Sequence, residues 1–412
     1  MKSIYILAAS SLLLCTAACS QVGPEGGNNP YKALELSTKG AEFVQKGSSF
    51  TFEYIDRINS ESKGDYIISP LSMQFLLGMI LDGAQGATAD EICSVLGYGK
   101  GEVDAVNEYC LSMLEQLPKM DKKTKLNIAN AIFVDEGWPL LGSYKSDVGK
   151  YYRAEVSNLD FSNGPASLKV INGWCSKHTE GLVPKILDEV SPDILAYLLN
   201  ALYFKSQWSE KFSKSLTAEE LFTDESGTKS TVKMMKQEKS YNYTENDVFK
   251  AVTIPYGNGV FSMTVLLPVG SHKVADICAF LKKTSWDGLR RKMDQCEVDL
   301  WLPKFETKYH IKLNDILSDM GMPRAFDEAL ADFKAMSDFA LCLSFVQQDA
   351  VIKVDEEGTE AAAVSSAGMM KETAYMPGDR VVLHADHPFL YLISESSSGA
   401  VLFAGRFAGK SN

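Results

Sequence analysis

Cys175 and His178 lie three residues apart in a stretch of helical periodicity, a spacing that brings a thiol and an imidazole to one face. Such a pair performs acyl transfer only when a third group orients the base and donors receive the oxyanion. No such groups are identifiable, so a core thiol beside a surface histidine is expected. The remaining histidines, His272, His310, His384 and His387, form no HExxH, and the chain holds no GxSxG elbow and no phosphate-binding glycine loop. Gly409-Lys410-Ser411 reproduces only part of a P-loop. Beyond the N-terminal segment the cysteines are Cys93, Cys110, Cys175, Cys278, Cys296 and Cys342, with no CxxC pair among them. Zinc and thioredoxin-like chemistry therefore lack support, and buried thiols are expected, although an even count in an exported protein permits disulfides. The residue types predict no catalytic group, no metal site and no cofactor.

A different kind of chemistry is suggested by residues 349–388. Ala350-Val351-Ile352-Lys353-Val354 alternates like a strand, and Pro388-Phe389-Leu390-Tyr391-Leu392-Ile393 reads as a second, buried one. Some thirty residues between them show no helical or strand period, and a connection of that length in a compact domain is functional or disordered. Its first half is rich in alanine and serine, without proline. The alternate positions Thr359, Ala361, Ala363 and Ser365 are all small. The segment is soluble as a loop, yet its side chains would fit if it entered a sheet.

Glu356-Glu357-Gly358-Thr359-Glu360-Ala361-Ala362-Ala363 closely resembles the reactive-loop hinge of the serpins. His387-Pro388-Phe389-Leu390 and Gly399-Ala400-Val401-Leu402-Phe403-Ala404-Gly405-Arg406-Phe407 resemble that family's C-terminal pair of buried strands. Ile67-Ile68-Ser69-Pro70-Leu71-Ser72, Asn200-Ala201-Leu202-Tyr203-Phe204 leading to Trp208, Ala325-Phe326, and Leu330-Ala331-Asp332-Phe333 extend the resemblance over about 40–407. It implies a mixed α/β serpin fold: a large central, mostly antiparallel sheet, two smaller sheets, about nine helices and an exposed reactive loop. It also implies a protein that is not an enzyme but an irreversible suicide-substrate inhibitor of serine or cysteine proteases. In that mechanism the protease attacks the loop, forms an acyl-enzyme, and is trapped as the cut loop inserts between 349–356 and the strand around 195–205. The alternative from another class is a non-inhibitory serpin that binds or carries a ligand. Small hinge residues favour the inhibitor, since carriers typically place bulky, charged or proline residues there.

The same resemblance places Ser69, Ser72 and Asn200 where the sheet opens, with Gln348 in place of the histidine usual in many members. Trp208, Lys304 and Glu356 fall at the gate above it. The family's hinge-to-bond spacing puts the scissile bond at Glu372-Thr373; the long loop leaves Met369, Met370 and Lys371 as alternatives. A basic cluster, Lys119, Lys122, Lys123 and Lys125, lies where some serpins bind a polyanion, but a solvated turn is the expected reading.

The chain of 412 residues is 45% hydrophobic, enough to bury a sizeable core, and carries a net charge of −12, which argues against a nucleic-acid partner. Lys2, the apolar run Ile4 to Leu14 and Ala17-Ala18-Cys19 resemble a bacterial lipoprotein signal, the run being too short to span a bilayer. Residues 1–18 are thus expected to be removed and Cys19 lipidated, anchoring a monomer to the outer membrane or cell surface. An ordinary secretory signal is the alternative. Residues 19–38 read as a flexible tether, and 39–410 as one serpin domain.

Periodicity predicts helices over 40–60, from Ser69-Pro70 through Leu81, over 88–97, 102–117, 167–178 and 284–293, and from Asn314 to Met320. It predicts strands from Leu126 to Val134, Ile194 to Phe204, and Glu297 to Phe305. Val252 to Tyr256 and Val260 to Leu267 should form a hairpin through Asn258-Gly259.

Overall fold

The structure is a computed structural model that describes residues 29–359 and 380–409. Ser37 accepts a hydrogen bond from the Gly40 amide and opens α1 (Thr38–Glu61), which buries Phe43, Phe50, Ile55 and Ile58 on one side. After the short β1 (Tyr66–Ile68), the Ser69 hydroxyl caps α2 (Pro70–Asp82) by accepting from the Ser72 amide. Every residue of α2 from Pro70 to Leu81 is buried, so this helix is the axis of the core. The chain continues through α3 (Gly86–Leu96), α4 (Val103–Gln116), β2 (Lys125–Asp135), α5 (Gly142–Tyr151), β3 (Glu155–Leu159) and α6 (Gly164–His178).

The middle of the chain is mostly strand: β4 (Ala196–Gln207), β5 (Ala218–Thr223), β6 (Lys229–Glu245), β7 (Phe249–Tyr256) and β8 (Phe261–Pro268). Two helices, α7 (Val274–Lys283) and α8 (Trp286–Arg290), precede β9 (Asp294–Pro303), β10 (Phe305–Lys312) and α9 (Asn314–Met320). The last third contributes β11 (Gln347–Asp355), β12 (Gly358–Thr359), β13 (Val381–His384), β14 (Phe389–Glu395) and β15 (Val401–Phe407).

Among the described residues these strands form two sheets. The larger has the order β1-β15-β14-β8-β7-β6-β9-β13, with β5 added to β6; the other has the order β10-β11-β12-β4-β2-β3. The two smaller sheets of the sequence reading are therefore continuous, joined through the 17-residue β6, which pairs with β5, β7 and β9. The six-stranded sheet is antiparallel except for β2 with β3. Strand β4 alternates in burial: Tyr197, Leu199 and Ala201 pack with Trp174 and Cys175 of α6, while Leu198 and Leu202 turn to the main core. Both faces are covered, as a long apolar strand requires.

The helix expected over 284–293 is shorter, Trp286–Arg290, and two further differences from the sequence reading bear on the site. The strand expected from Glu297 to Phe305 breaks at Lys304, where the chain leaves the larger sheet and Phe305 enters the other. The expected tether 19–38 is too long, because residues 29–37 lie hydrogen-bonded along the body. The Asn29 amide nitrogen donates to Asp121 Oδ1 at 2.7 Å, the Leu34 amide to Ser397 Oγ and the Glu35 amide to Gln116 Oε1, both at 2.9 Å. The signal segment, Cys19, Glu360, Ala361, Ala362, Ala363, Ser365, and the candidate cleavage residues Met369, Met370, Lys371, Glu372 and Thr373 lie outside the described residues.

Candidate functional site

The end of β11 and the start of β12 form a tight turn through Glu356-Glu357. The Asp355 carboxylate accepts from the Glu357 amide at 2.9 Å and holds the turn closed. Gly358 then runs so close to β4 that a Cβ would meet the Ser206 carbonyl oxygen at 2.1 Å and Gln207 Cα at 2.7 Å. Both are backbone atoms and cannot yield, so only glycine fits there. Two residues of β12 are thereby wedged between neighbours: Thr359 stands opposite Val354 of β11 and Ser206 of β4. Its side chain is 2% exposed, and its hydroxyl shares a 2.5 Å hydrogen bond with the Tyr256 hydroxyl.

The structure thus makes Thr359 a strand residue. The remainder of the junction between β4 and β11 is unpaired among the described residues, because β12 is what links the two strands. An unpaired strand edge is a row of free N–H and C=O groups ready to accept another strand.

Trp208 is the platform under this turn. Its amide donates to the Glu357 carbonyl at 3.0 Å, its indole nitrogen to the Asp355 carbonyl at 2.9 Å, and its ring stacks on Tyr256 with centroids 4.4 Å apart. Lys304, placed by the crossing between sheets, donates to Glu356 Oε2 at 2.8 Å. Thr217 donates to the other oxygen of the same carboxylate at 3.0 Å. Burial alone would raise the Glu356 pKa, but Lys304, its own backbone amide and Thr217 together hold the carboxyl below its ordinary range. Glu357 is likewise held low, first by Lys211 against a smaller burial effect and then by Lys214.

Below the turn, Ser69, Ser72, Asn200 and Gln348 all line one small cavity of about 30 Å³ between β4, β11 and α2. Gln348 accepts from the Ser69 amide at 2.9 Å and from the Tyr54 hydroxyl at 3.1 Å, and its nitrogen donates to the Ser69 carbonyl at 2.9 Å. The Ser69 hydroxyl donates to the Leu402 carbonyl at 2.7 Å. One glutamine thus satisfies both main-chain groups of the residue that caps α2. Asn200 donates to Asn130 Oδ1 at 2.7 Å, while its own amide oxygen has no hydrogen-bond partner among the described residues. That oxygen would meet an incoming strand at no cost in lost bonds.

Tyr256, Thr217, Lys211 and Lys214 are site residues that sequence reasoning missed. The lysines three and six residues after Trp208 were a readable countercharge for Glu357. Tyr256 lies 103 positions from Thr359 and gave no such signal. Cys175 and His178 do not assemble a nucleophile. Burial pushes the thiol up to about 12, and His178 Nδ1 sits 2.9 Å from the Trp174 carbonyl. All six described cysteines are free, four of them buried. Of the basic cluster, Lys125 pairs with Glu180 on the surface at 2.8 Å.

Residues 45–409 match the family described as Serpin (serine protease inhibitor). Serpin B6 of Macaca fascicularis is 32% identical over 375 residues, covering 89% of this chain and 98% of that protein. The native-state crystal structure of tengpin, a thermophilic serpin, superposes with a TM-score of 0.81 at 28% identity, covering 92% of this chain and 96% of that one. Tengpin has also been solved in a latent state, which superposes with a TM-score of 0.78. Thyroxine-binding globulin in complex with thyroxine superposes with a TM-score of 0.80 at 26% identity, covering 90% of this chain and all of that one.

Proposed function

The chain belongs to the serpin family, and from that premise we propose that it is an irreversible suicide-substrate inhibitor of serine or cysteine endopeptidases. The observation that supports this best is the wedge of Gly358-Thr359 between β11 and β4, with the edges beneath it unpaired among the described residues. A loop that begins as the first two residues of a middle strand needs only the rest of that strand to follow. The protease nucleophile adds to the Glu372 carbonyl, the bond to Thr373 breaks, and the amine leaves with a proton, so the protease is esterified (or thioesterified) to Glu372. Met369, Met370 or Lys371 would serve the same role if the register slips. Freed at that end, Glu360, Ala361, Ala362, Ala363 and Ser365 enter the sheet with their small side chains before water releases the acyl-enzyme. Trp208, Lys304 and Glu356 keep the upper end closed until then, and Ser69, Ser72, Asn200 and Gln348 set the resistance of the middle. The uncut form persists because opening is slow, a kinetic stability.

A denaturing gel tests this directly. Mixed with a panel of serine and cysteine proteases, the protein is expected to form a boiling-resistant complex with at least one, and mass spectrometry of the released peptide fixes the bond. The likeness to thyroxine-binding globulin favours the second reading, a carrier. Cleavage in the loop with no covalent complex for any member of the panel would end the inhibitor reading and leave the carrier.

The inhibitor is further proposed to act as an exported monomer held at a membrane through lipidated Cys19. Cys19→Ala is expected to move the protein from the membrane to the soluble fraction or leave it unprocessed. A wild-type protein that is soluble and begins at another residue would end the lipoprotein reading.

A further inference from the structure

At the end of the six-stranded sheet farthest from Thr359, β4 and the chain leading into β11 diverge over a cavity of about 410 Å³. Residues 340–346 of that chain form no strand or helix, so they splay from β4 instead of pairing with it. The floor is Leu76 and Ile80 of the central helix α2, and Leu198, Phe333, Met336 and Leu341 form much of the wall. A cavity of this size lies at the small end of the roughly 300–1,000 Å³ typical of ligand pockets, and its lining mixes apolar side chains with polar surface. Its apolar character continues onto the surface. Trp138 and Phe339, 42% and 40% exposed, meet edge to face at 4.6 Å, and Leu330 is 50% exposed. These belong to the same loops: Phe339 adjoins Ala340 of the wall, and Leu330 follows two residues after Glu328 of the rim.

The charged residues of the lining are both acidic. Asp193 and Glu328 stand there, with no lysine, arginine or histidine among the described residues of the wall. Neither makes an ion pair among the described residues. The carboxylates of Glu328 and Asp327 also act on the Cys342 thiol of the wall, which burial first and these charges second push up. An anionic ligand would add a third like charge beside these two carboxylates, whose exposure to solvent keeps each interaction modest. A neutral apolar ligand would leave the rim uncompensated. A ligand with an aliphatic body and one positive end satisfies both parts.

We infer that this cavity is a binding site for a small cationic amphiphile, an aliphatic chain ending in an ammonium group. The cavity lies at the lower end of the slot between β4 and β11, and its test needs no protease. Isothermal calorimetry would compare decylamine, decanol and decanoate, each below its micellar concentration, on purified full-length Cys19→Ala protein, which carries no acyl chain of its own. Saturable one-to-one binding is expected in the order amine, alcohol, carboxylate. Asp193→Asn with Glu328→Gln, both at exposed positions, is expected to weaken the amine about fivefold to tenfold and leave the alcohol unchanged. Ala340→Trp, also exposed, is expected to block all three by closing the mouth. The inference is overturned if no probe binds saturably, if the alcohol or carboxylate binds as tightly as the amine, or if Ala340→Trp binds like wild type.

Discussion

Glu356→Lys is expected to make the protein polymerise on milder warming than wild type. The substitution removes the acceptor of the 2.8 Å bond from Lys304 and of the 3.0 Å bond from Thr217, and sets two ammonium groups face to face. Breaking a buried pair by losing one member costs roughly 3–5 kcal/mol. The Glu356 side chain is 7% exposed but that of Lys304 is 37% exposed, which places the cost at the lower end of that range. The loss falls on the turn that carries β12, so the slot between β4 and β11 opens from the top and becomes available to the loop of a second molecule. Size-exclusion chromatography after stepped heating reads the outcome. The exchanged pair, Lys304→Glu with Glu356→Lys, is expected to recover most of the resistance. If Glu356→Lys stays as monomeric as wild type, the pair does not hold the sheet closed.

Acid should loosen the same contact. The Glu356 and Glu357 carboxyls are held below their ordinary range in the folded state, so their contribution is complete above the pKa of the unfolded chain. It is lost as pH falls through the lower folded values. Polymerisation of the wild type is therefore expected to accelerate below the ordinary carboxylate range, and that of Glu356→Lys to respond less.

How far this site was readable in the sequence depends on whether the contact was local. The Ser69 cap and Pro70, the Asn258-Gly259 turn, and the helix from Asn314 to Met320 were legible because their signals span a few residues. The run from Glu356 to Thr359 stood out by resemblance, since its acidic pair and glycine lead into small residues in one stretch. Strand β6 was not. Its lysines and glutamates alternate with few strongly apolar residues, and it gains its place by pairing with three other strands, one contact being Lys236 lying over the Trp301 ring at 3.8 Å. Lys304 read as the tail of a strand because nothing local marks the crossing between two sheets. The engagement of Thr359 was hidden for the same reason: it depends on Tyr256 and Ser206, supplied by other strands.

Thr359→Arg is expected to convert the protein from inhibitor to substrate while leaving its loop cleavable. Residue 359 is already inside the sheet, 2% exposed and bonded to Tyr256, with Val354 and Ser206 on either side. An arginine there has two outcomes, burial of a cation without a partner or withdrawal of β12 from between its neighbours. Both act before the rest of the loop can follow. An unpaired buried polar group costs ~1–3 kcal/mol and a charge more, and each 1.36 kcal/mol on a barrier slows a step about tenfold. Insertion is therefore expected to slow by tenfold or more, whereas hydrolysis of the acyl-enzyme proceeds in the protease's own site at an unchanged rate. The race between the two steps reverses. After mixing with a cognate protease, the ratio of covalent complex to cleaved free protein should fall by at least that factor. Thr359→Ser, which keeps the hydroxyl for Tyr256, should retain it, and far-ultraviolet circular dichroism of both variants should match wild type. If Thr359→Arg still traps protease one for one, the loop does not act by entering between β4 and β11, and the inhibitory mechanism proposed for this chain is wrong.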